Sequence, residues 1–139
     1  TLALHDALPI WRELAERAVL LCGKCATMLK TLGDGRGMRD SRLFHTLQGL
    51  PPEVLVNLWS MGDDLVRQRV ERYVTTLAKV RPAVTGRDLI AMGATPSEEF
   101  SAILARARDD RLDGRAVGRE AELANLHRMA LRAGLIQYP

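Results

Sequence analysis

The sequence predicts an all-α protein of about seven helices with no β-sheet, and three observations support this fold class. Apolar residues recur at intervals of three and four through most of the 139 residues, as they do along the buried face of a helix. No segment shows the alternation of apolar and polar residues that is typical of a half-buried strand. Glycine and proline occur in groups, for example at 33–37 and 49–52, which divide the chain into helix-length segments.

The first part of the chain is predicted to form a long helix and a short one. Apolar residues recur at helical spacing over 4–32, and three glycines in 33–37 end that helix. A short helix over 40–47 follows. We therefore predict an N-terminal helical segment, 1–49, and a helical domain, 50–139; the alternative is one continuous domain.

The middle of the chain is predicted to hold two helices. The first follows a pair of prolines and covers 53–61, with Trp59 on its apolar face. The second covers about 62–80 and ends just before a proline, which disfavours helix at the preceding residue. Trp11 and Trp59 both occupy apolar helix positions, so we expect them to pack in the core rather than to stack on nucleic-acid bases.

A short helix beginning after Thr85 has the clearest local signals in the chain. Thr85 and Asp88 have the spacing of a capping box, in which each side chain bonds the backbone of the other residue. Gly93 lies where a helix commonly ends in a left-handed conformation. We therefore predict a helix between these two points.

Two more helices are predicted to complete the chain. Thr95 is expected to cap the first, with a proline at its first helical position, and Asp113-Gly114 is a turn signal at its end. The second covers 119–133 and ends at Gly134. Its apolar face consists of Leu123, Leu126, Ala130 and Leu131.

Composition limits the classes of protein to which the chain can belong. Hydrophobic residues make up 47% of the sequence but aromatic residues only 4%, so the core must be largely aliphatic. There is no long apolar run and no signal-peptide pattern, so we expect a soluble, cytoplasmic protein with no membrane contact. The chain begins at Thr1 rather than with methionine, and we expect it to be part of a longer protein.

Positive charge is concentrated in the middle of the chain. The formal net charge is only +3, yet 66–87 holds six basic residues against one acidic residue. Such a cluster is consistent with phosphate binding and equally with a solvated helix face. The basic residues are Arg67, Arg69, Arg72, Lys79, Arg81 and Arg87.

The start of the helix after Thr85 is the best candidate binding site that the residues themselves provide. The amides at the beginning of a helix are unpaired donors with positive partial charge, so they attract phosphate. Gly86 would allow close approach of the backbone, and Arg87 would add charge. The alternative is a purely structural helix start, because Thr85 and Asp88 already use two of those donors.

No residue pattern in the chain indicates a metal site or a catalytic site. Cys22 and Cys25 form a single CxxC, which predicts zinc only when a second such pair accompanies it. We expect both cysteines to be reduced and structural. The three histidines lack the Ser or Cys partners of a nucleophilic site.

The region from Leu50 to Leu135 resembles the body and tail of bacterial tRNA nucleotidyltransferases (CCA-adding enzymes) and poly(A) polymerases. The tail signature of that family combines a Thr-Gly-Lys/Arg-Asp-Leu segment, a following glycine, a proline, an Ile-Leu pair and Leu-Asp-Gly. This chain departs from it at Ser97 and at Ser101-Ala102, where the family usually has glycine. The matching residues are Thr85, Gly86, Arg87, Asp88, Leu89, Gly93, Pro96, Ile103, Leu104, Leu112, Asp113 and Gly114.

The resemblance implies an RNA-binding helical domain that positions tRNA through its sugar-phosphate backbone. The family's catalytic Asp-x-Asp, which holds Mg²⁺, is absent here, so the resemblance implies that a separate head domain transfers the nucleotide. No catalysis, metal or cofactor is then expected in this chain. The residues expected to contact RNA are Arg67, Arg72, Lys79, Arg81, Thr85, Gly86, Arg87 and Arg115.

A structural module is the alternative function. In that case the helices would pack on other domains of the parent chain or on a second copy of this chain. The small net charge and the two missing glycines favour it. The basic cluster favours RNA.

Overall fold

Helices joined by turns and loops make up the described protein, a computed structural model that covers residues 12–13 and 22–138. No β-strand occurs in this part of the chain, so the predicted all-α fold is confirmed. No helix in it is long and apolar enough to cross a membrane. The helices are α1 (22–32), α2 (Asp40–Leu47), α3 (Pro52–Met61), α4 (Asp64–Thr75), α5 (Gly86–Ala91), α6 (Glu99–Leu112) and α7 (Arg119–Arg132), with a 3₁₀ turn at Leu77–Lys79.

The helices are grouped in two compact units. Unit 1 contains the described residues up to Gly37 together with Thr46–Val74, and unit 2 contains Met38–His45 together with the residues from Thr75 on. The predicted domains, 1–49 and 50–139, stay a prediction. Trp11 and most of the predicted helix 4–32 lie outside the described residues, but the predicted end of that helix, just before Gly33, is confirmed.

Unit 1 is held together by buried aliphatic side chains and one close backbone approach. A Cβ at Gly62 would lie 2.4 Å from Cγ1 of Val66, so only glycine fits between the end of α3 and the start of α4. Asp63 accepts a hydrogen bond from the Val66 amide at 3.0 Å and caps α4. The buried residues are Cys25, Leu32, Leu47, Val54, Leu58, Val66, Val70 and Tyr73.

Unit 2 has an aliphatic core shared by α5, α6 and α7. Leu89, Leu126 and Ala130 are fully buried at its centre. Leu123 and Leu131 pack against it from α7, so the predicted apolar face of the last helix is confirmed. The other buried members are Val84, Ala94, Ile103, Ala107 and Ile136.

Two predicted helix boundaries were wrong. Helix α4 ends at Thr75 rather than near residue 80, because Val74-Thr75-Thr76 are β-branched and lower helix propensity, and a 3₁₀ turn follows. Helix α6 begins at Glu99 rather than after Thr95. Residues 95–98 are all exposed, whereas Ala94 is buried in the core of unit 2.

Candidate nucleic-acid interface

The eight residues predicted to contact RNA divide between the two units. Arg67 and Arg72 lie on α4 in unit 1. The other six lie in unit 2, on the segment that leads into α5, on α5 itself, or in the turn between α6 and α7. They are Lys79, Arg81, Thr85, Gly86, Arg87 and Arg115.

Arg67 is engaged by Trp59 within unit 1. Its Nε donates to the Trp59 carbonyl at 3.1 Å, and its guanidinium lies 5.4 Å from the centre of the indole ring. The indole N–H of Trp59 donates in turn to Glu71 at 2.8 Å. Trp59 is 43% exposed, so the prediction that it packs in the core was wrong. Its indole instead contacts α4 at the surface, where the N–H finds a polar partner. Arg72 is exposed and also makes an intramolecular interaction.

Arg69, one of the six basic residues of the predicted cluster, has a structural role. Its guanidinium donates to the backbone carbonyls of Leu32 at 2.6 Å, Asp34 at 2.9 Å and Arg36 at 3.0 Å. These are carbonyls at the end of α1 and in the loop after it, which have no helical partners. Arg69 therefore closes this loop, and its donors are not directed at solvent.

The segment before α5 and the first turn of α5 present the most accessible positive charge among the predicted residues. Lys79 and Arg87 are exposed, and within the described chain neither side chain makes a hydrogen bond or an ion pair. Arg81 is exposed too, although its guanidinium donates to the carbonyls of Ala78 at 3.2 Å and Val80 at 3.4 Å. Two or three cations on one short segment could therefore contact phosphate without losing an internal partner.

A cavity of about 400 Å³ lies beside Arg81. Arg108, on α6, also lines it, and its guanidinium lies 4.8 Å from the centre of the Phe44 ring. The buried Nε of Arg108 has no hydrogen-bond partner in the described residues. The cavity therefore adds a second guanidinium to the basic surface at the entrance to α5.

The start of α5 is closed by the protein's own charges. Thr85 and Asp88 form the predicted capping box, and the Thr85 amide donates to Asp88 at 2.7 Å. Arg119 of α7 donates to both oxygens of Asp88, at 2.6 and 3.0 Å, and to the carbonyl of Ala83. The hydrogen bonds that Arg119 donates to the Asp88 carboxylate, together with the one from the Thr85 amide, lower the pKa of Asp88 to about 2. A phosphate at this helix end would meet a permanent carboxylate.

Gly86 faces the protein interior. A Cβ at this position would lie 3.6 Å from Cδ2 of Phe100 and 4.0 Å from Cδ1 of Leu104. These are ordinary packing distances, and both neighbours belong to α6. The contact to phosphate predicted for Thr85, Gly86 and Arg87 stays a prediction, and only the Arg87 side chain among them is an exposed cation.

Sequence reasoning missed Glu122, which anchors the segment before α5. Glu122 is 1% exposed; it accepts a hydrogen bond from the Ala83 amide at 2.6 Å and forms an ion pair with Arg111. In the sequence it is an ordinary acidic residue in the first turn of a helix, and nothing marks it as buried. With Arg119, it attaches α7 to the backbone of Ala83.

The Leu-Asp-Gly element of the tail signature has a structural role here. Asp113 accepts hydrogen bonds from the amide of Ser41 at 2.8 Å and from its hydroxyl at 2.9 Å, at the start of α2. Gly114 has the positive φ of 72° that the turn requires. Arg115 is 3.2 Å from Asp110 and 3.9 Å from Asp113, so this predicted RNA contact is already paired with carboxylates.

Arg115 also lines a larger groove between α6 and α7. The groove has a volume of about 620 Å³ and contains three further arginines, Arg106, Arg128 and Arg132. None of these three was predicted as a site residue. Their spacing along two helices gives no signal until the helices are packed together.

In the described part of the chain, no group of three or more His, Cys, Asp or Glu side chains could hold a metal ion. Cys22 is exposed and Cys25 is buried, and both are free thiols. The two thiols therefore lie in different environments despite their CxxC spacing.

Comparison with known proteins supports a relation to the family that the tail signature indicated. An A-adding tRNA nucleotidyltransferase of Geobacter sulfurreducens (strain ATCC 51573 / DSM 12127 / PCA) is 35% identical to this chain over 94 residues. The matched segment covers 67% of this chain and 11% of that protein, so the chain spans a small part of its relative's length. No family model matches the chain. No solved structure matches it either.

Proposed function

We propose that this chain is the tRNA-positioning part of a tRNA nucleotidyltransferase or poly(A) polymerase-like protein. It lies on the C-terminal side of a separate head domain, which binds Mg²⁺ and nucleotide and carries out the transfer. The observation that supports this most strongly is the 35% identity to the A-adding enzyme over two thirds of the chain. The chain holds the RNA, and the head does the chemistry.

Exposed cations of unit 2 would make the contacts. Lys79 and Arg87 have no internal partner in the described structure, and Arg81 keeps an exposed guanidinium between them in sequence. Ammonium and guanidinium groups bind phosphate through charge-assisted hydrogen bonds, with a geometry that does not depend on the base. The domain would therefore bind the backbone of tRNA and would not read its sequence.

A titration with labelled tRNA at several salt concentrations tests this function. We expect binding that weakens with salt by a slope of about 0.7 to 0.9 for each neutralised phosphate. The double variant Lys79→Glu/Arg87→Glu should bind roughly tenfold or more weakly, because it replaces two attractions by two repulsions. Unfolding curves would show that its fold is intact.

The matched control is Lys24→Glu/Lys30→Glu, which makes the same change of net charge on exposed positions of α1 in unit 1. It should lose much less affinity than the Lys79/Arg87 variant. Equal losses in the two variants would show a general charge effect and not a contact surface. Absence of tRNA binding by the parent chain at low salt would refute the function.

An interaction module is the second candidate, favoured by the exposed apolar side chains of α3. Val56 is 63% exposed and Met61 67% exposed, on the same helix as Trp59. If these residues contact another domain or a second copy of the chain, Val56→Asp/Met61→Asp should abolish self-association measured by light scattering. A parent chain that binds no tRNA but dimerises through this helix would support the module.

A further inference from the structure

The groove between α6 and α7 holds a concentration of positive charge that the described protein does not neutralise. Four arginines and two aspartates line it, which leaves a formal charge of +2. Both carboxylates have partners. Asp110 accepts hydrogen bonds from Arg115 at 3.2 Å and from Asn125 at 2.8 Å, and Asp109 is 2.8 Å from the His45 ring nitrogen.

The remaining three guanidiniums have no carboxylate partner in the described chain. Arg106 and Arg132 are exposed and make no hydrogen bond or ion pair there. Arg128 donates only to the neutral side-chain oxygen of Asn125, at 3.2 Å. Asn125 is thus bonded to Asp110 on one side and to Arg128 on the other, which orients that guanidinium at the edge of the groove.

The placement of these cations suits an extended polyanion. Arg128 and Arg132 are one turn apart on α7, about 6 Å along the helix axis, and Arg106 lies on the other wall of the groove, on α6. The lining also includes small or flexible apolar side chains, among them Ala102 and Met129. Guanidiniums on both walls could bind different phosphates of one strand, each through two parallel hydrogen bonds.

The lining also argues against a nucleotide or a base as the occupant. No aromatic side chain is among the described residues that line the groove, so these residues offer a base no stacking surface. Asn125, the one side-chain amide among the described lining residues, is already bonded at both ends of its side chain. What the groove offers is charge without base readout, as expected for contact with a sugar-phosphate backbone.

We propose that the α6–α7 groove binds phosphodiester groups of the RNA backbone through Arg106, Arg128 and Arg132. This inference rests on the proposed function and extends it to a second surface of unit 2, which the sequence did not indicate. Arg115 contributes indirectly: it pairs with Asp110, and this pairing reduces the repulsion that the Asp110 carboxylate would exert on a bound anion.

The experiment compares tRNA binding by the parent chain and by Arg106→Gln/Arg132→Gln over a range of salt concentrations. We expect at least a fivefold loss of affinity at about 0.1 M salt and a decrease of roughly 1.4 to 1.8 in the salt slope, as for the loss of two phosphate contacts. Lys24→Gln/Lys30→Gln, which removes the same charge from exposed positions of α1, should leave the slope nearly unchanged.

A second variant removes no arginine. Ala102→Glu places a carboxylate in the groove at an exposed helix position, where glutamate is a good helix former. It should weaken tRNA binding several-fold without changing the thermal midpoint. Because the two variants alter the protein differently, a folding defect in one cannot account for the same result in both.

The outcomes separate the groove from the function of the whole chain. A parent chain that binds tRNA while both groove variants bind equally well, with an unchanged slope, would overturn the groove proposal and leave the proposed function standing. A parent chain that binds no tRNA would overturn both. If inorganic phosphate alone raised the thermal midpoint of the parent but not of Arg106→Gln/Arg132→Gln, while tRNA affinity did not change, the groove would be a small-anion site and the RNA assignment would be wrong.

Discussion

The start of α5 and the α6–α7 groove both carry arginines, but these differ in availability: within the described chain Arg119 at α5 is paired with a carboxylate, whereas Arg106 and Arg132 in the groove are not. At α5, the helix end and Arg119 are both neutralised by Asp88, whose carboxylate accepts from Arg119 at 2.6 Å and from the Thr85 amide at 2.7 Å. In the groove, Arg106 and Arg132 have no such partner in the described chain. Positive charge indicates a ligand site only where the protein has not already paired it.

The most recognisable residues of the tail signature have structural roles in unit 2. Asp88 caps α5 and holds Arg119, and Asp113 binds the start of α2. Gly93 and Gly114 supply positive φ angles of 94° and 72° at helix ends. These residues build unit 2. Of the candidate cations for RNA contact, Arg87 belongs to the signature, whereas Lys79, Arg81, Arg106, Arg128 and Arg132 do not.

The largest expected effect concerns Glu122, which holds the segment before α5. Glu122→Ala should lower the free energy of unfolding by about 3 kcal/mol. The substitution removes the carboxylate that pairs with Arg111 and leaves the Ala83 amide without its acceptor. Urea unfolding measures this change. Glu120→Ala, at an exposed position in the same turn of α7, should change stability by less than about 0.5 kcal/mol. Equal effects would mean that Glu122 is not an anchor.

The ion pair at α5 should make stability depend on pH in the acid range. The pKa of Asp88 is lowered from 3.8 to about 2 in the folded protein, so its contribution is complete above about pH 4 and is lost as the pH falls toward 2. Because Arg119 is half exposed, we expect about 1 kcal/mol rather than the full value of the shift. Unfolding of the parent chain and of Asp88→Asn, measured from about pH 5 to about pH 2.5, should converge by about this amount.

A constant difference between the parent and Asp88→Asn over that range would contradict the ion pair. A variant of the other partner, Arg119→Gln, sharpens the comparison with the groove. If the Asp88–Arg119 pair is structural and the groove arginines are functional, Arg119→Gln should reduce stability but leave the salt slope of tRNA binding unchanged.

The smallest effects concern the two glycines at the ends of α5. Gly93→Ala should cost about 1 kcal/mol, because its φ of 94° is unfavourable for any residue with a Cβ. Gly86→Ala should be within about 0.5 kcal/mol of the parent, since the new methyl would meet Phe100 at an ordinary 3.6 Å. Thermal unfolding resolves the difference. A strong loss of tRNA binding by the stable Gly86→Ala variant would show that phosphate does approach this glycine.

Most of the helices could be predicted from the sequence, because the signals that form them are local. The capping box at Thr85 and the glycines at 93, 114 and 134 act within a few residues, and each lies where it was expected. The two boundaries that were wrong follow from weaker signals. β-Branched residues shorten α4, and α6 begins at Glu99 without a side-chain cap from Thr95.

The candidate site was much less accessible to sequence reasoning. Lys79, Arg81 and Arg87 were predicted and are exposed, whereas Arg67 and Arg115 were predicted and are engaged within the protein. Arg106, Arg128 and Arg132 were missed because they are isolated basic residues in the sequence and meet only across two packed helices.

The sequence by itself determined the all-α fold and most of the helix ends, because helical periodicity and capping depend on residues three or four positions apart. Its similarity to an A-adding enzyme also placed it in relation to tRNA nucleotidyltransferases. Only the tertiary structure decided which charged side chains are paired within the protein. Asp88, Glu122 and Asp113 accept hydrogen bonds from residues 31, 39 and 72 positions away in the chain, and no local pattern records such pairings.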